Sequence, residues 1–174
     1  MPLTLAAGPY RYEVAAGWGQ PPDESTFAEC AAVSVDANDN VWAFNIPTGE
    51  LMIFAPDGSL ARVWPHRYEN VHGIDFDADG NVYLVNRNDH EVSKYTPDGE
   101  LVMTLGTPGV PSDTGYSLQK GRDTSWANPV ERAGHPFNVP SGVRIAPNGD
   151  VYVANGYANS RIHRFSAEGE LLHS

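Results

Sequence analysis

The chain has 174 residues, a formal net charge of −11 and a pI of about 4.8. Because such a chain repels phosphate groups, its composition disfavours nucleic acid and anionic membrane surfaces as partners. Its length and its 41% content of hydrophobic residues predict one globular domain, and the single cysteine, Cys30, excludes an internal disulfide.

The first predicted element is a strand over residues 10–19, which read YRYEVAAGWG. Its ending is similar to LVMTLG at residues 101–106, so we expect it to be the outermost strand of a repeat unit whose other strands are absent. The residues before it contain neither a basic region nor a sustained apolar run, so a cytoplasmic location is the default expectation.

Three later segments share one pattern, in which a strand and a polar turn precede a second strand that begins with Val-aromatic and ends in Asn. They span residues 31–45, 72–86 and 141–155. A third strand, a tight Pro-Asp-Gly or Ala-Glu-Gly turn and a fourth strand follow each of them. Four short strands in about forty residues are typical of a β-propeller blade, and an all-β sandwich is the alternative.

The sequence therefore predicts an all-β propeller with blades at residues 27–66, 70–106 and 137–174. Because closed propellers have about four to eight blades, three blades and one extra strand indicate half of a ring. A longer chain or self-association of two copies would complete it. The insertion at residues 107–136 is expected to act as a lid or a subunit contact, with Tyr116 and Trp126 as its candidate aromatic residues.

The loops indicate which rim of the propeller carries function. The first strand of each blade lines the channel, and the loop between the second and third strands shares a rim with the connections between blades. These loops contain Ile46, Arg87 and Tyr157, whereas the turns at the opposite rim are generic. His72 lies at the start of a channel-lining strand, so it belongs to the same rim, where we expect the chemistry.

Several stretches resemble a family of NHL-repeat propellers, the peptidyl-α-hydroxyglycine α-amidating lyases. They are WAFNIPTGELMIF, ENVHGIDFDADGNVYLVN and FNVPSGVRIAPNGDVYVANGYANSRIHRFS. The resemblance covers nearly the whole chain but only about half of the family's six-bladed ring. It implies an NHL-type β-propeller and a lyase that cleaves a carbinolamide C–N bond and releases glyoxylate and an amide.

The resemblance also implies metal sites and a catalytic residue. His72 matches the first of three zinc-binding histidines, the other two of which lie in later blades of the family. Tyr157 matches the catalytic tyrosine, and Val33 and Ile74 match positions whose backbone carbonyls hold a structural calcium ion. From the residues alone, two alternatives remain open: His72 as a channel residue bonded to water, and Tyr157 packed on blade three against a carbonyl.

Arginines bind the substrate in that family, and we predict this role for Arg87 and Arg161. The alternatives are a solvated loop residue for Arg87 and a structural pair with a nearby carboxylate or carbonyl for Arg161. The chain departs from the family at Ile46, which stands at the position of an arginine and cannot bind a carboxylate. It departs again at Asn155, where the family usually has Asp.

Two functions follow from this reading. The first is a zinc-dependent, lyase-like propeller that acts on a small-molecule or peptide substrate, with altered activity as an open possibility. The second is a non-catalytic binding or scaffold propeller, which Ile46 and the presence of only one matching zinc histidine favour.

Overall fold

The computed structural model describes residues 4–21, 29–117 and 128–174. Within these ranges the protein consists of strands and turns, arranged as one two-stranded and three four-stranded antiparallel sheets. The same ranges contain no helix with the length and apolarity needed to cross a membrane.

The three four-stranded sheets are named blades one to three. Blade one contains β3 (Cys30–Val35), β4 (Val41–Asn45), β5 (Glu50–Phe54) and β6 (Leu60–Arg67). Blade two contains β7 (Val71–Phe76), β8 (Val82–Asn86), β9 (Glu91–Tyr95) and β10 (Leu101–Gly106). Blade three contains β11 (Gly142–Ile145), β12 (Val151–Asn155), β13 (Arg161–Phe165) and β14 (Leu171–His173). In each blade the strands pair in chain order, and the first strands of neighbouring blades contact one another, which places those strands at the centre of the fan.

The two-stranded sheet is a hairpin at the N-terminal end of the chain, formed by β1 (Thr4–Ala7) and β2 (Tyr10–Glu13). Gly8, at φ 61°, begins the two-residue turn between them, a position that favours glycine. The prediction of one outer blade strand over residues 10–19 is therefore wrong. Only residues 10–13 of that range form a strand, and their partner precedes them in the chain.

Asp carboxylates close the turns between the first and second strands of blades one and two. Asp77 Oδ1 accepts hydrogen bonds from the backbone N–H groups of Asp79 and Asn81 at 3.0 and 2.9 Å, and Asp36 closes the equivalent turn in blade one. Burial raises the pKa of Asp77, but hydrogen bonds from Lys94 and Asn81 outweigh it and leave the pKa below its usual value. These turns have local structural partners, as expected for the generic rim.

The hydrophobic core lies between the blades. Strand β8 of blade two is buried along its whole length, and its alternating side chains face both neighbours. Leu84 packs into the cluster shared with blade one, whereas Tyr83 and Val85 pack into the cluster shared with blade three. Blade two is thus covered on both faces, which holds the rim loops of all three blades in fixed relative positions.

The described parts of the insertion, residues 107–117 and 128–136, pack against the start of blade three. The side-chain amide of Asn138 is 1% exposed and donates hydrogen bonds to Thr114 Oγ1 at 2.9 Å and to the Tyr116 carbonyl at 3.2 Å. Trp126 lies outside the described residues, so the role of the insertion as a lid or a subunit contact stays a prediction.

Candidate functional site

The side chains of His72 and Tyr157 meet at the mouth of the channel. His72 is the second residue of β7, and Tyr157 lies in the loop between β12 and β13. Tyr157 Oη is 3.2 Å from His72 Nε2, and the two rings meet edge-on with their centroids 5.4 Å apart. The structure thus brings together the two residues that the sequence matched to a catalytic tyrosine and a zinc ligand.

The carbonyl of Ser141 fixes the proton of His72. It lies 3.1 Å from His72 Nδ1, and because a carbonyl only accepts hydrogen bonds, Nδ1 carries the proton. His72 Nε2 then keeps its lone pair and accepts a hydrogen bond from the Tyr157 hydroxyl. No sequence pattern marks Ser141 for this role, since its contribution is a backbone atom from the neighbouring blade.

Arg87 faces the ring of Tyr157. It follows β8 directly, is 3% exposed, and its Cζ lies 4.9 Å from the centroid of the Tyr157 ring, within the range of a cation–π contact. Its backbone N–H donates to the Asn70 carbonyl at 2.9 Å. The alternative of a solvated loop arginine is therefore wrong, because this guanidinium is buried beside the candidate catalytic residue.

His72, Arg87 and Tyr157 line one cavity of about 420 Å³. Glu29, Cys30 and Ile46 complete its wall, and Ile46 gives it an apolar side where the family has an arginine. Cys30, a free cysteine, is exposed at this mouth. A cavity of this size fits a small molecule or the end of a peptide.

The loop that carries Tyr157 is fixed at both ends by buried amides. Asn159 Oδ1 accepts a hydrogen bond from the backbone N–H of Gly134 at 3.0 Å, and Asn159 Nδ2 donates to the Gly134 carbonyl at 2.6 Å. Asn155, also fully buried, lies 3.3 Å from the ring of His163. The loop therefore holds Tyr157, which is 49% exposed, in a fixed position. The paired asparagines on either side of Tyr157 were the only sequence signal for this arrangement.

Arg161 does not join this cavity. Its Nη1 donates to the Ser160 carbonyl at 3.0 Å, and the residue lines a smaller cavity with Glu131 and Arg132 of the insertion. The structure thus separates the two arginines that the sequence grouped together. The substrate-binding role of Arg161 stays a prediction.

The predicted calcium ligands Val33 and Ile74 line a different cavity, along the channel. This cavity has a volume of about 430 Å³ and is shared with Arg144, which the sequence reading did not single out. Arg144 Nη1 lies 3.4 Å from the Ile74 carbonyl oxygen. A cationic side chain therefore contacts one of the two carbonyls assigned to calcium.

The described residues do not form a zinc site by themselves. Zinc sites use at least three protein ligands, and the ranges that the structure describes contain no group of three or more His, Cys, Asp or Glu side chains able to hold a metal. His72 does have the orientation of a zinc ligand, since its Nδ1–H donates to a backbone carbonyl.

The meander blades and the shared rim define the class of protein. Residues 137–165 match the family model of the NHL repeat, and the four-stranded meanders give the chain the fold of a β-propeller. It is lyase-like in sequence: over 40 residues it is 45% identical to peptidyl-alpha-hydroxyglycine alpha-amidating lyase 1 of Drosophila melanogaster. Over 44 residues it is 48% identical to the probable peptidyl-alpha-hydroxyglycine alpha-amidating lyase pgal-1 of Caenorhabditis elegans. These matches cover 23% and 25% of this chain, but only 7% and 12% of the two relatives.

Solved structures show the same fold. The streptogramin B lyase structure superimposes with a TM-score of 0.58 at 14% identity, over 94% of this chain and 43% of that one. Selenomethionine-substituted virginiamycin B lyase from Staphylococcus aureus gives a TM-score of 0.56 at 16% identity, over 84% of this chain and 41% of that one. At these identities the likeness concerns the β-propeller fold alone, and the chain spans less than half of either structure.

Proposed function

We propose that this protein is a lyase that cleaves the C–N bond of a carbinolamide such as a peptidyl-α-hydroxyglycine, with Tyr157 as the residue that accepts the hydroxyl proton. The observation that carries the proposal is the hydrogen bond between the Tyr157 hydroxyl and the lone pair of His72, whose proton Ser141 fixes on the opposite nitrogen. The local similarity to amidating lyases of a fly and a nematode supports the substrate class.

The reaction needs a proton to move from the substrate hydroxyl to the leaving nitrogen. Tyr157 Oη accepts the hydroxyl proton while its own phenolic proton passes to His72 Nε2. The C–O bond becomes a carbonyl as the C–N bond breaks, and the imidazolium returns its proton to the amide nitrogen. The products are glyoxylate and a peptide amide. The Ser141 carbonyl stabilises the transient imidazolium, because it accepts a hydrogen bond from Nδ1–H throughout.

Arg87 is the residue that we propose to bind the substrate carboxylate. A peptidyl-α-hydroxyglycine ends in a carboxylate next to the reacting carbon, and a guanidinium binds that group through charge-assisted hydrogen bonds. Arg87 lines the same cavity as Tyr157 and His72, whereas Ile46 leaves blade one without a cation there. Arg161, in its separate cavity, would contact only a more distant part of a longer substrate.

The zinc ion implied by the resemblance would take His72 as one ligand and would require further ligands from outside the described residues. It would supply a Lewis acid for the developing alkoxide. A metal on Nε2 would replace the hydrogen bond from Tyr157, since both use the same lone pair. The proton transfers above therefore belong to the protein with His72 free of metal.

The direct test is an assay of glyoxylate release from a peptide that ends in α-hydroxyglycine. Tyr157→Phe removes the proton acceptor while keeping the ring that faces Arg87, so we expect a loss of at least about 10²-fold in kcat. Tyr12→Phe, at an exposed position of the N-terminal hairpin, is the matched control and should keep wild-type activity. Equal activity of the two variants would contradict the role of Tyr157.

The apolar side of the cavity at Ile46 favours a second candidate function, a propeller that binds a carboxylate-terminated peptide without cleaving it. In that case wild-type protein would release no glyoxylate. Calorimetric titration with the same peptide would still give binding that Arg87→Met weakens and Tyr157→Phe preserves. The two experiments together separate catalysis from binding.

A further inference from the structure

The first strands of the three blades place equivalent backbone carbonyls along the channel. Val33, Ile74 and Val143 each pair with the third residue of the following strand, namely Ala43, Leu84 and Val153. All three also line the channel cavity of about 430 Å³. The repeat therefore builds a partial ring of carbonyl groups around the axis, with one position for each blade.

The residue after each carbonyl position differs between the blades: Ser34, Asp75 and Arg144. Arg144 Nη1 lies 3.4 Å from three oxygens, the carbonyls of Ile74 and Val143 and the Oδ1 atom of Asp75. The Asp75 carboxylate is held in place, because its Oδ2 accepts a hydrogen bond from the Ile145 N–H at 2.8 Å. The guanidinium of Arg144 thus lies among the carbonyls of Ile74 and Val143 and the carboxylate of Asp75.

This arrangement does not fit a calcium ion. Calcium takes six to eight oxygen ligands at about 2.3–2.6 Å, with carboxylates among them. Here the carboxylate that faces the ring is paired with a guanidinium, and the same guanidinium contacts the Ile74 carbonyl. A divalent ion bound to that carbonyl would lie a few ångströms from a like charge, and the repulsion would oppose its binding.

We propose that Arg144 is a built-in cation that takes the place of a metal ion at the carbonyl ring of the channel. In this proposal the Ile74 carbonyl accepts a hydrogen bond from Arg144 instead of binding a calcium ion. It predicts that calcium neither binds to the protein nor stabilises it. It is independent of the lyase chemistry, because Arg144 lies outside the cavity that contains Tyr157 and Arg87.

The exposure of Arg144 decides which property should be measured. Its side chain is 73% exposed, so solvent screens its attraction to Asp75 and the ion pair adds little to stability. The informative quantity is therefore whether a metal ion binds at the carbonyl ring. Removing the guanidinium should leave Asp75 and the carbonyls of Ile74 and Val143 open to a metal.

The experiment is calorimetric titration with calcium chloride, together with melting temperatures in millimolar calcium and in chelator. Wild-type protein should give no binding heat and no shift of Tm. Arg144→Ala should bind calcium and gain a Tm shift of about 5 °C or more at saturating metal. Arg144→Gln, which keeps more of the side chain, is the second variant if Arg144→Ala fails to fold.

Two controls make the result specific. Arg62→Ala removes an exposed guanidinium that donates to the Pro97 carbonyl on blade two, and it should stay insensitive to calcium. The double variant Asp75→Asn/Arg144→Ala should lose the calcium binding gained by Arg144→Ala. Calcium binding by wild-type protein would overturn the proposal, and so would a calcium-insensitive Arg144→Ala, since the ring would then not be a cation site.

Discussion

Gly73 of blade two lies directly against Gly142 of blade three, so closely that a Cβ atom on Gly73 would be 2.9 Å from the Cα atom of Gly142. The same Cβ would lie 3.0 Å from a methyl group of Val85 and 3.2 Å from the backbone nitrogen of Val143. Blades two and three therefore meet backbone to backbone at the axis. His72 precedes Gly73, so this contact also sets the distance between His72 and the Ser141 carbonyl.

We expect Gly73→Ala to destabilise the protein by about 1–3 kcal/mol, because the added methyl group forces the two first strands apart. Chemical denaturation measures this change directly. Gly142→Ala is the matched control, since its Cβ would meet only the Ala154 side chain at an ordinary 3.8 Å. If the two variants were equally stable, the backbone contact would not be tight in solution.

Stability should depend on the ionisation of His163. This ring is fully buried between Phe137 and Phe165, and burial, aided by the charges of His135 and Arg161, lowers its pKa to about 4. Because the folded protein disfavours the charged ring, its neutral form stabilises the fold above pH 6.5. That stabilisation, on the order of 3 kcal/mol, is lost as the pH falls from 6.5 towards 4.

Denaturant unfolding across this pH range tests the prediction. Wild-type protein should lose stability steadily between pH 6.5 and 4, whereas His163→Gln should show a flatter profile with lower stability at neutral pH. His173→Gln, which alters an exposed residue at the edge of blade three, should keep the wild-type slope. A wild-type slope in His163→Gln would assign the effect to other groups.

The fold was predictable because its signals are local. The Asp, Asn and Gly residues of the turns and the alternation of the strands repeat in three segments, and each blade is a meander of neighbouring elements. The hairpin at Gly8 and Pro9 also has a local signal, since a Gly-Pro pair favours a turn. Residues 10–19, however, end like the last strand of a blade, and this likeness favours the wrong element.

The site was predictable only in part, for a physical reason. The loop positions place Tyr157 and the start of β7 at one rim, but the contact between Tyr157 Oη and His72 Nε2 depends on side-chain directions that no repeat specifies. Arg87 is buried beside Tyr157, a residue of the neighbouring blade. The position of Arg144 depends on Asp75, which is 69 residues away in the chain. Such contacts between blades follow from packing and leave no local pattern.

The segment after the N-terminal hairpin should contribute to the stability of blade one. The ring of Trp18 lies 5.9 Å from that of Phe54, and its Nε1 donates to the Pro56 carbonyl at 3.1 Å. Trp18 is 41% exposed, so we expect Trp18→Ala to cost about 1–2 kcal/mol of unfolding free energy as Phe54 becomes accessible to water. Tyr12→Ala, in the exposed hairpin, is the control and should change stability much less. Equal effects would mean that residue 18 does not pack on blade one in solution.

Asp77 and Lys94 should make strongly coupled contributions to the free energy of unfolding. Lys94 Nζ lies 2.9 Å from Asp77 Oδ2, and the two side chains are only 16% and 11% exposed, with Lys94 the more exposed. In blade one the equivalent carboxylate, Asp36, accepts a hydrogen bond from Trp42 Nε1 instead. In blade three Arg164 stands at the position of Lys94 and pairs with Asp150. Asp77→Ala removes the hydrogen bonds from the Asp79 and Asn81 backbone N–H groups and from Asn81 Nδ2, and it leaves the Lys94 ammonium without its carboxylate. We expect a loss of about 3 kcal/mol.

A double-mutant cycle measures this coupling. Lys94→Met should also destabilise the protein, and the double variant should be about 1–3 kcal/mol more stable than the sum of the two single losses predicts. Asp57→Ala removes a carboxylate that closes an exposed turn by the same bond to a backbone N–H, and it should cost far less than Asp77→Ala. Because the pKa of Asp77 lies below its usual value, its contribution is present at neutral pH and disappears as the pH falls through the folded-state pKa. Strictly additive losses in the cycle would mean that the turn bonds, and not the ion pair, account for the stabilisation by Asp77.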